Sequence, residues 1–290
     1  MTVCLAMIVR DEADTLPHVL ERARSLIDAW AILDTGSVDD TPAVAIEALS
    51  GIPGRVEHAP WDGFGPARTQ VLKLARQSGA DYTLMLDADH SIEVTGPKPV
   101  WDADAYMLPI RDGSITYRLP LLTRSAHPFE YRGAAHAYLA SDEPTRRAAS
   151  DWLTIEGGPG ASRAKLEGDV ELLTASFAEN PADKRTVFYL ARTLDDLDRP
   201  LEAIPWYRLR ASMGGWGEEV YYARYRLGCL LSQHVAFAQG APELIAAWQE
   251  APHRAEALRA LANAASAVAD KTPQPADGLF VHPAAYRRAA

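Results

Sequence analysis

The sequence predicts an α/β domain on a mostly parallel sheet, followed by an all-α region, and two observations carry that prediction. Over residues 3–90, short apolar runs alternate with segments whose apolar residues recur at helical spacing, the signature of βαβ units. From about Lys165 onward helical periodicity alone remains. The glycine-rich stretch Gly157-Gly158-Pro159-Gly160 separates the two halves and reads as a mobile loop. The expected division is residues 1–155 as the α/β domain, 156–178 as loop and linker helix, and 179–290 as the helical domain.

Each element follows from local pattern. Val3–Val9 is an apolar run ended by Arg10, Asp11 and Glu12, so it reads as a buried strand rather than a leader or a span. Thr15 and Pro17 open a helix whose buried stripe is Leu16, Leu20, Ala23 and Ile27. Residues 30–33 form a second strand that ends in the turn Asp34-Thr35-Gly36-Ser37, after which Pro42 opens a second helix. Residues 55–59 form a weaker strand, and Ala67, Val71 and Leu74 share one face of a third helix. Residues 82–86 are uninterruptedly apolar, as a strand covered on both faces should be. Residues 106–110 and 115–122 flank Asp112-Gly113 and predict a hairpin. In the second half, residues 188–191 with Ala203, Ile204 and Tyr207, then residues 222–231 with 244–248, then residues 254–267, repeat at a period near the ~34 residues of a tetratricopeptide unit.

Charge narrows the function classes. The chain has 29 Lys plus Arg against 39 Asp plus Glu, a net charge of −10, which supplies no general attraction to nucleic acid or anionic membrane. A local patch of Arg118, Arg124, Arg132, Arg146 and Arg147 is the candidate exception. Cys4 and Cys229 match no metal or redox spacing and read as free thiols. With no long apolar run, the expectation is a soluble, cytoplasmic protein without a membrane span.

Asp87-Ala88-Asp89 carries the chemistry. It follows directly on the apolar strand, and ligands of open α/β sheets bind outside the carboxyl ends of strands. Two carboxylates spaced i, i+2 can point the same way and hold a hard cation, Mn²⁺ or Mg²⁺, whose other sites diphosphate oxygens and water would fill. Ser162, Arg163 and Lys165, after the glycine-rich stretch, could close over such a diphosphate as a cationic lid.

Several segments, in order, resemble the family 2 glycosyltransferases of the GT-A fold. Residues 5–12 resemble the family's opening strand and its Arg-Asn-Glu signature, with Asp11 for Asn. Residues 34–41 resemble its Asp-x-Gly-Ser-x-Asp-x-Thr turn, and residues 64–69 a stretch that usually ends Ala-Arg-Asn, with Thr69 here. Residues 86–89 resemble the Asp-x-Asp motif, and residues 131–136 a Tyr-x-Gly-x-x-His element. Residues 185–197, 203–210, 214–219 and 279–281 are similar to the helical extension on a subset of these enzymes.

The resemblance implies an inverting, metal-dependent transfer of a sugar from a nucleotide-sugar, a UDP-sugar foremost, to a hydroxyl. It implies a nucleotide-sugar site of Val9, Arg10, Glu12, Asp34, Arg68, Asp87, Ala88, Arg163 and Lys165. Asp34 would read the uracil ring, unless it caps the Gly36 or Ser37 amides of its own turn. Asp89 would be the direct metal ligand, with Asp87 on ribose or metal-bound water and His136 completing the shell. The family commonly has Glu after that histidine; here it is Ala137, and His90 replaces an acidic residue after the Asp-x-Asp. The base is therefore open, with Glu130 first and Asp112 and His136 behind it. The acceptor is open too, among glycan, peptide and hydroxylated DNA base, as is homodimerisation through the helical tail. The alternative is a tetratricopeptide-like binding scaffold carrying a degenerate transferase domain.

Overall fold

The computed structural model describes residues 1–158 and 162–271, and the chain divides into two compact units, residues 1–189 and 190–290. Pro159, Gly160 and the 279–281 segment lie outside the described residues.

The first unit is organised by one sheet. Strands β1 (Val3–Val9), β2 (Ala29–Asp34), β3 (Gly54–His58) and β4 (Tyr82–Met85) run parallel in the order β3-β2-β1-β4. Strands β5 (Ser91–Val94), β6 (Ala105–Asp112), β7 (Ile115–Arg124) and β11 (Leu153–Glu156) extend it as β4-β7-β6-β11-β5, with β10 (Arg147–Ala149) beside β6. β7 runs antiparallel to both β4 and β6, while β11 and β10 return parallel to β6. A second, two-stranded sheet pairs β8 (Glu130–Arg132) with β9 (Tyr138–Ala140). The predicted order is present: a mostly parallel sheet first, helices after it.

Period-two alternation along β1 feeds two cores. Val3, Leu5, Met7 and Val9 face α1 (Leu16–Ala23) and α2 (Thr41–Ala48), packing with Leu16, Leu20 and Ala45. Cys4 and Ala6 face α3 (Phe64–Arg76), with Ala67, Val71 and Leu74. Small residues on this second face let α3 lie close to the strands. Burial pushes the Cys4 thiol up to about 11, as expected of an inert packing residue.

Two local expectations shift. The hairpin turn is Gly113-Ser114, not Asp112-Gly113, since Asp112 pairs with Ile115 as the last rung of β6–β7. Gly113 alone takes the positive φ, +56°, that the first position of such a tight turn requires. The helix α1 ends at Ala23, so Ile27 is buried from the loop that follows it.

Helix α4 (Arg163–Glu179) closes the first unit, and α5 (Lys184–Asp196) crosses the boundary between the units. Tyr189, the last residue of the first unit, stacks on the His136 ring of the same unit. The second unit continues with α6 (Pro200–Ser212), α7 (Gly217–His234), α8 (Phe237–Glu250) and α9 (Glu256–Lys271). Each of these packs on the next, and the short connections make neighbours antiparallel, the arrangement of helix-pair repeats. Tyr221, Ala247, Ala251 and Ala257 form part of its core with Tyr225 and Trp248.

Candidate active site

A cleft of about 1840 Å³ opens at the carboxyl ends of β1 and β4, the place where parallel sheets bind ligands. Its walls come from those strand ends, from α3, from the β6–β7 hairpin, from the loops around β8 and β9, and from one face of α4.

Arg68 and Asp87 form the centre of one wall. One terminal nitrogen of Arg68 donates to both Asp87 oxygens at 2.8 Å, and the Arg68 side chain is 18% exposed. Phe64 and Tyr131 flank the guanidinium, with its carbon 5.5 and 5.7 Å from the two ring centres. Burial would raise the Asp87 carboxyl, but Arg68 and then His90 outweigh it and hold it below its ordinary value. Burial likewise pushes the Tyr131 hydroxyl up to about 12. Arg68 Nε is buried with no hydrogen-bond partner, a donor inside a polar wall that a bound acceptor oxygen would satisfy.

Local sequence holds this wall in place. α3 begins at Phe64, whose amide donates to the Ala134 carbonyl at 2.9 Å, and Gly65 lies so close to the Gly133 carbonyl that no side chain fits. Thr69, standing where the family resemblance expects Asn, accepts from the Tyr131 amide at 2.8 Å and donates to the Tyr131 carbonyl at 3.2 Å. The substitution keeps a polar clasp between α3 and the 131–136 element.

Asp89 lines the cleft and is exposed, and Gly158 packs directly against its carboxylate, leaving no room for a Cβ there. Lys165 lies over Phe64, its Nζ 5.7 Å from the ring centre, and its charge helps hold Asp87 low. Two hard carboxylates beside an open cleft suit Mn²⁺ or Mg²⁺, which takes one or two protein carboxylates and fills its shell with phosphate oxygens and water. Among the described residues, no three His, Cys, Asp or Glu side chains gather as a metal-holding group.

The predicted residues separate into two sets. Val9, Arg10, Glu12, Arg68, Asp87, Ala88, Asp89, Asp112 and Lys165 line the cleft. Asp34, Glu130, His136 and Arg163 lie outside that lining, each for a visible reason. Asp34 is 2% exposed and accepts from the Ser37 hydroxyl, the Ser37 amide and His58 Nδ1, so it caps its own turn while Thr35 reaches the cleft. Burial would raise its carboxyl, but the Ser37 and His58 hydrogen bonds keep it low. Glu130 accepts from Arg132 Nε at 2.6 Å across an i, i+2 pair on one face of β8. The exposed His136 ring stacks on Tyr189 at 4.0 Å, and its carbonyl accepts from Arg185 at 3.3 Å. Arg163 pairs with Glu167 on the outer side of α4.

The candidate basic patch is not a free one. Arg118 pairs with Asp151, Arg124 with Asp104, Arg132 with Glu130 and Asp142, and Arg146 with Asp102. Arg147 donates to the Leu139 carbonyl and lines the cleft.

Sequence reasoning missed Asp169. It lines the cleft from α4, is 6% exposed, and has no hydrogen-bond or ion-pair partner among the described residues. The available signal was its position one helical turn after Lys165 and next to a mid-helix glycine, Gly168.

Residues 4–95, from β1 to β5, match the model of glycosyl transferase family 2, and this segment bears Arg68, Asp87 and Asp89. A TPR repeat-containing protein of Synechococcus elongatus is 43% identical over 91 residues, 31% of this chain and 21% of that protein. The chain thus spans about a fifth of that curated relative. Among solved structures, residues 1–349 of S. aureus TarS in complex with UDP align over 95% of this chain and 93% of that one, at 12% identity and a TM-score of 0.39. Glucosyl-3-phosphoglycerate synthase of Mycobacterium tuberculosis, in complex with Mg²⁺ and UDP, aligns over 31% of this chain and 34% of that one, at 25% identity and a TM-score of 0.26. No described helix is long and apolar enough to cross a membrane.

Proposed function

We propose that this chain, whose first third is a family 2 glycosyltransferase segment, transfers a sugar from a nucleoside diphosphate donor, foremost a UDP-sugar, to a hydroxyl acceptor. The observation that carries this reading is the grouping of Arg68, Asp87, Asp89 and Lys165 on one wall of a cleft at the strand ends. Two cations and two carboxylates suit a diphosphate with its divalent ion, and the partnerless Arg68 Nε supplies a further donor for a donor-substrate oxygen.

Asp89, with Asp87 beside it, would hold Mn²⁺ or Mg²⁺, which when bound neutralises charge on the departing diphosphate. Lys165 and Arg68 stabilise that same charge from the protein side. Phe64 and Tyr131 flank the Arg68 guanidinium and shield its side of the Arg68–Asp87 pair from water. The acceptor oxygen attacks the anomeric carbon from the face opposite the diphosphate, so configuration inverts. The helical unit would organise the acceptor or a homodimer.

Calorimetry with UDP, with and without Mn²⁺, tests the reading. The wild-type chain should bind UDP more tightly with Mn²⁺, and Asp89→Ala should remove that increment while keeping the fold. Arg68→Ala should weaken UDP with or without metal. A wild-type chain that binds no UDP would favour the scaffold alternative instead.

A further inference from the structure

We infer that Asp169 is the base that takes the proton of the attacking hydroxyl, an inference that rests on the glycosyltransferase reading of the cleft. Helix α4 has seventeen residues, and only Asp169 and Leu173 are buried. A helix that spends one of its two buried positions on a carboxylate, and gives it no partner among the described residues, is not using it for packing. The side chain belongs to the cleft wall, on the helical face that also presents Lys165, Gly168 and Leu172.

Three further observations fit a reacting carboxylate. Lys165, one turn earlier on α4, lines the same cleft and acts electrostatically on both Asp169 and Asp87, while Asp87 is paired with Arg68. Nothing lies within 4 Å of where a Gly168 side chain would begin, so packing does not demand glycine there. A mid-helix glycine weakens a helix, and here it leaves open space beside the carboxylate. Burial pushes the Asp169 carboxyl up, with Lys165 opposing in part, which makes its carboxylate a stronger proton acceptor.

The other carboxylates are engaged or exposed. Glu130 is held by Arg132 and Asp87 by Arg68, while Asp112 is exposed on the last rung of the hairpin. In the step, the acceptor O–H proton passes to an Asp169 carboxylate oxygen as the acceptor oxygen bonds to the anomeric carbon. The bond from that carbon to the diphosphate breaks, and its electron pair leaves on the diphosphate. Asp169 then returns its proton to solvent.

The test uses the full chain, with UDP as the binding probe and UDP release from a panel of UDP-sugars, water serving as acceptor, as the rate. Asp169→Asn should bind UDP within about twofold of wild type yet release it roughly 10²–10⁴-fold more slowly, the usual contribution of a general base. In Asp169→Ala, added formate or azide should restore part of the rate, which a merely structural aspartate would not allow. Wild-type release by Asp169→Asn overturns the assignment while leaving the transferase reading intact. Absence of both UDP binding and UDP release in the wild-type chain overturns the transferase reading, and this inference with it.

Discussion

Arg210 of the helical unit and Asp169 of the cleft are both charged and both almost fully buried, at 1% and 6% exposure, yet their surroundings are opposite. Arg210 donates through Nε and one terminal nitrogen to Glu219 at 3.1 and 2.9 Å, and through the other to the Gly214 carbonyl at 2.9 Å. Asp195 is similarly answered, by Arg226 at 2.8 and 2.9 Å and by the Tyr207 hydroxyl at 3.0 Å. In the cleft, Asp169 has no such partner among the described residues, and Arg68 keeps one buried nitrogen unused. The helical unit holds its own unsatisfied atom, the Ser232 hydroxyl, but that group is neutral and pressed against Gly240 by helix packing. Buried charge that is fully answered specifies a fold, whereas buried charge left open beside a cleft waits for a ligand.

The largest expected effect breaks the answered side of this comparison. Arg210→Ala takes two charge-assisted hydrogen bonds from the buried Glu219 carboxylate and should cost ~3–5 kcal/mol, read by denaturant unfolding of the helical signal. Replacing both partners by Met and Leu should cost far less, since neither charge then needs a partner. A small loss in the single variant would mean that water reaches this pair.

Asp34 gives an intermediate case, a buried carboxylate answered by its own turn. Asp34→Ala should cost about 2 kcal/mol at pH 7, the usual penalty for stripping partners from a buried group. Its folded pKa lies below the unfolded value, so the stabilisation is present above the ordinary carboxylate range and is lost as pH falls through the folded pKa. The wild-type and variant melting curves should therefore converge in acid, and a constant gap would exclude the carboxylate as the cause.

Asp169→Asn should show the opposite sign. A raised folded pKa stabilises below the unfolded value, and that contribution is lost as pH rises through the folded pKa. The amide removes this loss, so the variant should melt higher than wild type at pH 8, by a difference of about 1 kcal/mol, and lose that advantage in acid. A lower melting temperature at pH 8 would reveal a partner and undo the contrast with Arg210.

The smallest effect concerns how α4 begins. The Ser162 hydroxyl accepts from the Lys165 amide at 3.2 Å, and Ser162→Ala should cost about 0.5 kcal/mol, the low end for an exposed cap. Faster hydrogen exchange confined to the first turn of α4 would register it, and unchanged exchange would show that the cap contributes nothing.

Much of the first unit was legible because its signals are local. Alternation in β1 and the stripes of α1 and α3 are written within a dozen residues, and each predicts the face it buries. That Asp87 and Asp89 follow a buried strand was legible because a strand's end is visible in sequence. Strands β5 and β8 to β11 were not predicted, since each spans only three or four residues, too few to show a period. Glu130 was the favoured base because it precedes a motif, but the chain cannot announce that Arg132 occupies it.

By itself, then, the sequence determined the order of the first four strands and three helices, the two-sided core they build and the pair of carboxylates at its carboxyl edge. Tertiary structure decided which charges are answered. Arg68 meets Asp87 and Gly65 meets Gly133 across long stretches of chain, and Asp169 is buried only because α4 lies along the cleft. Periodicity reports how a segment meets its immediate neighbours, whereas the desolvation and pairing of a charge depend on residues that only folding brings near.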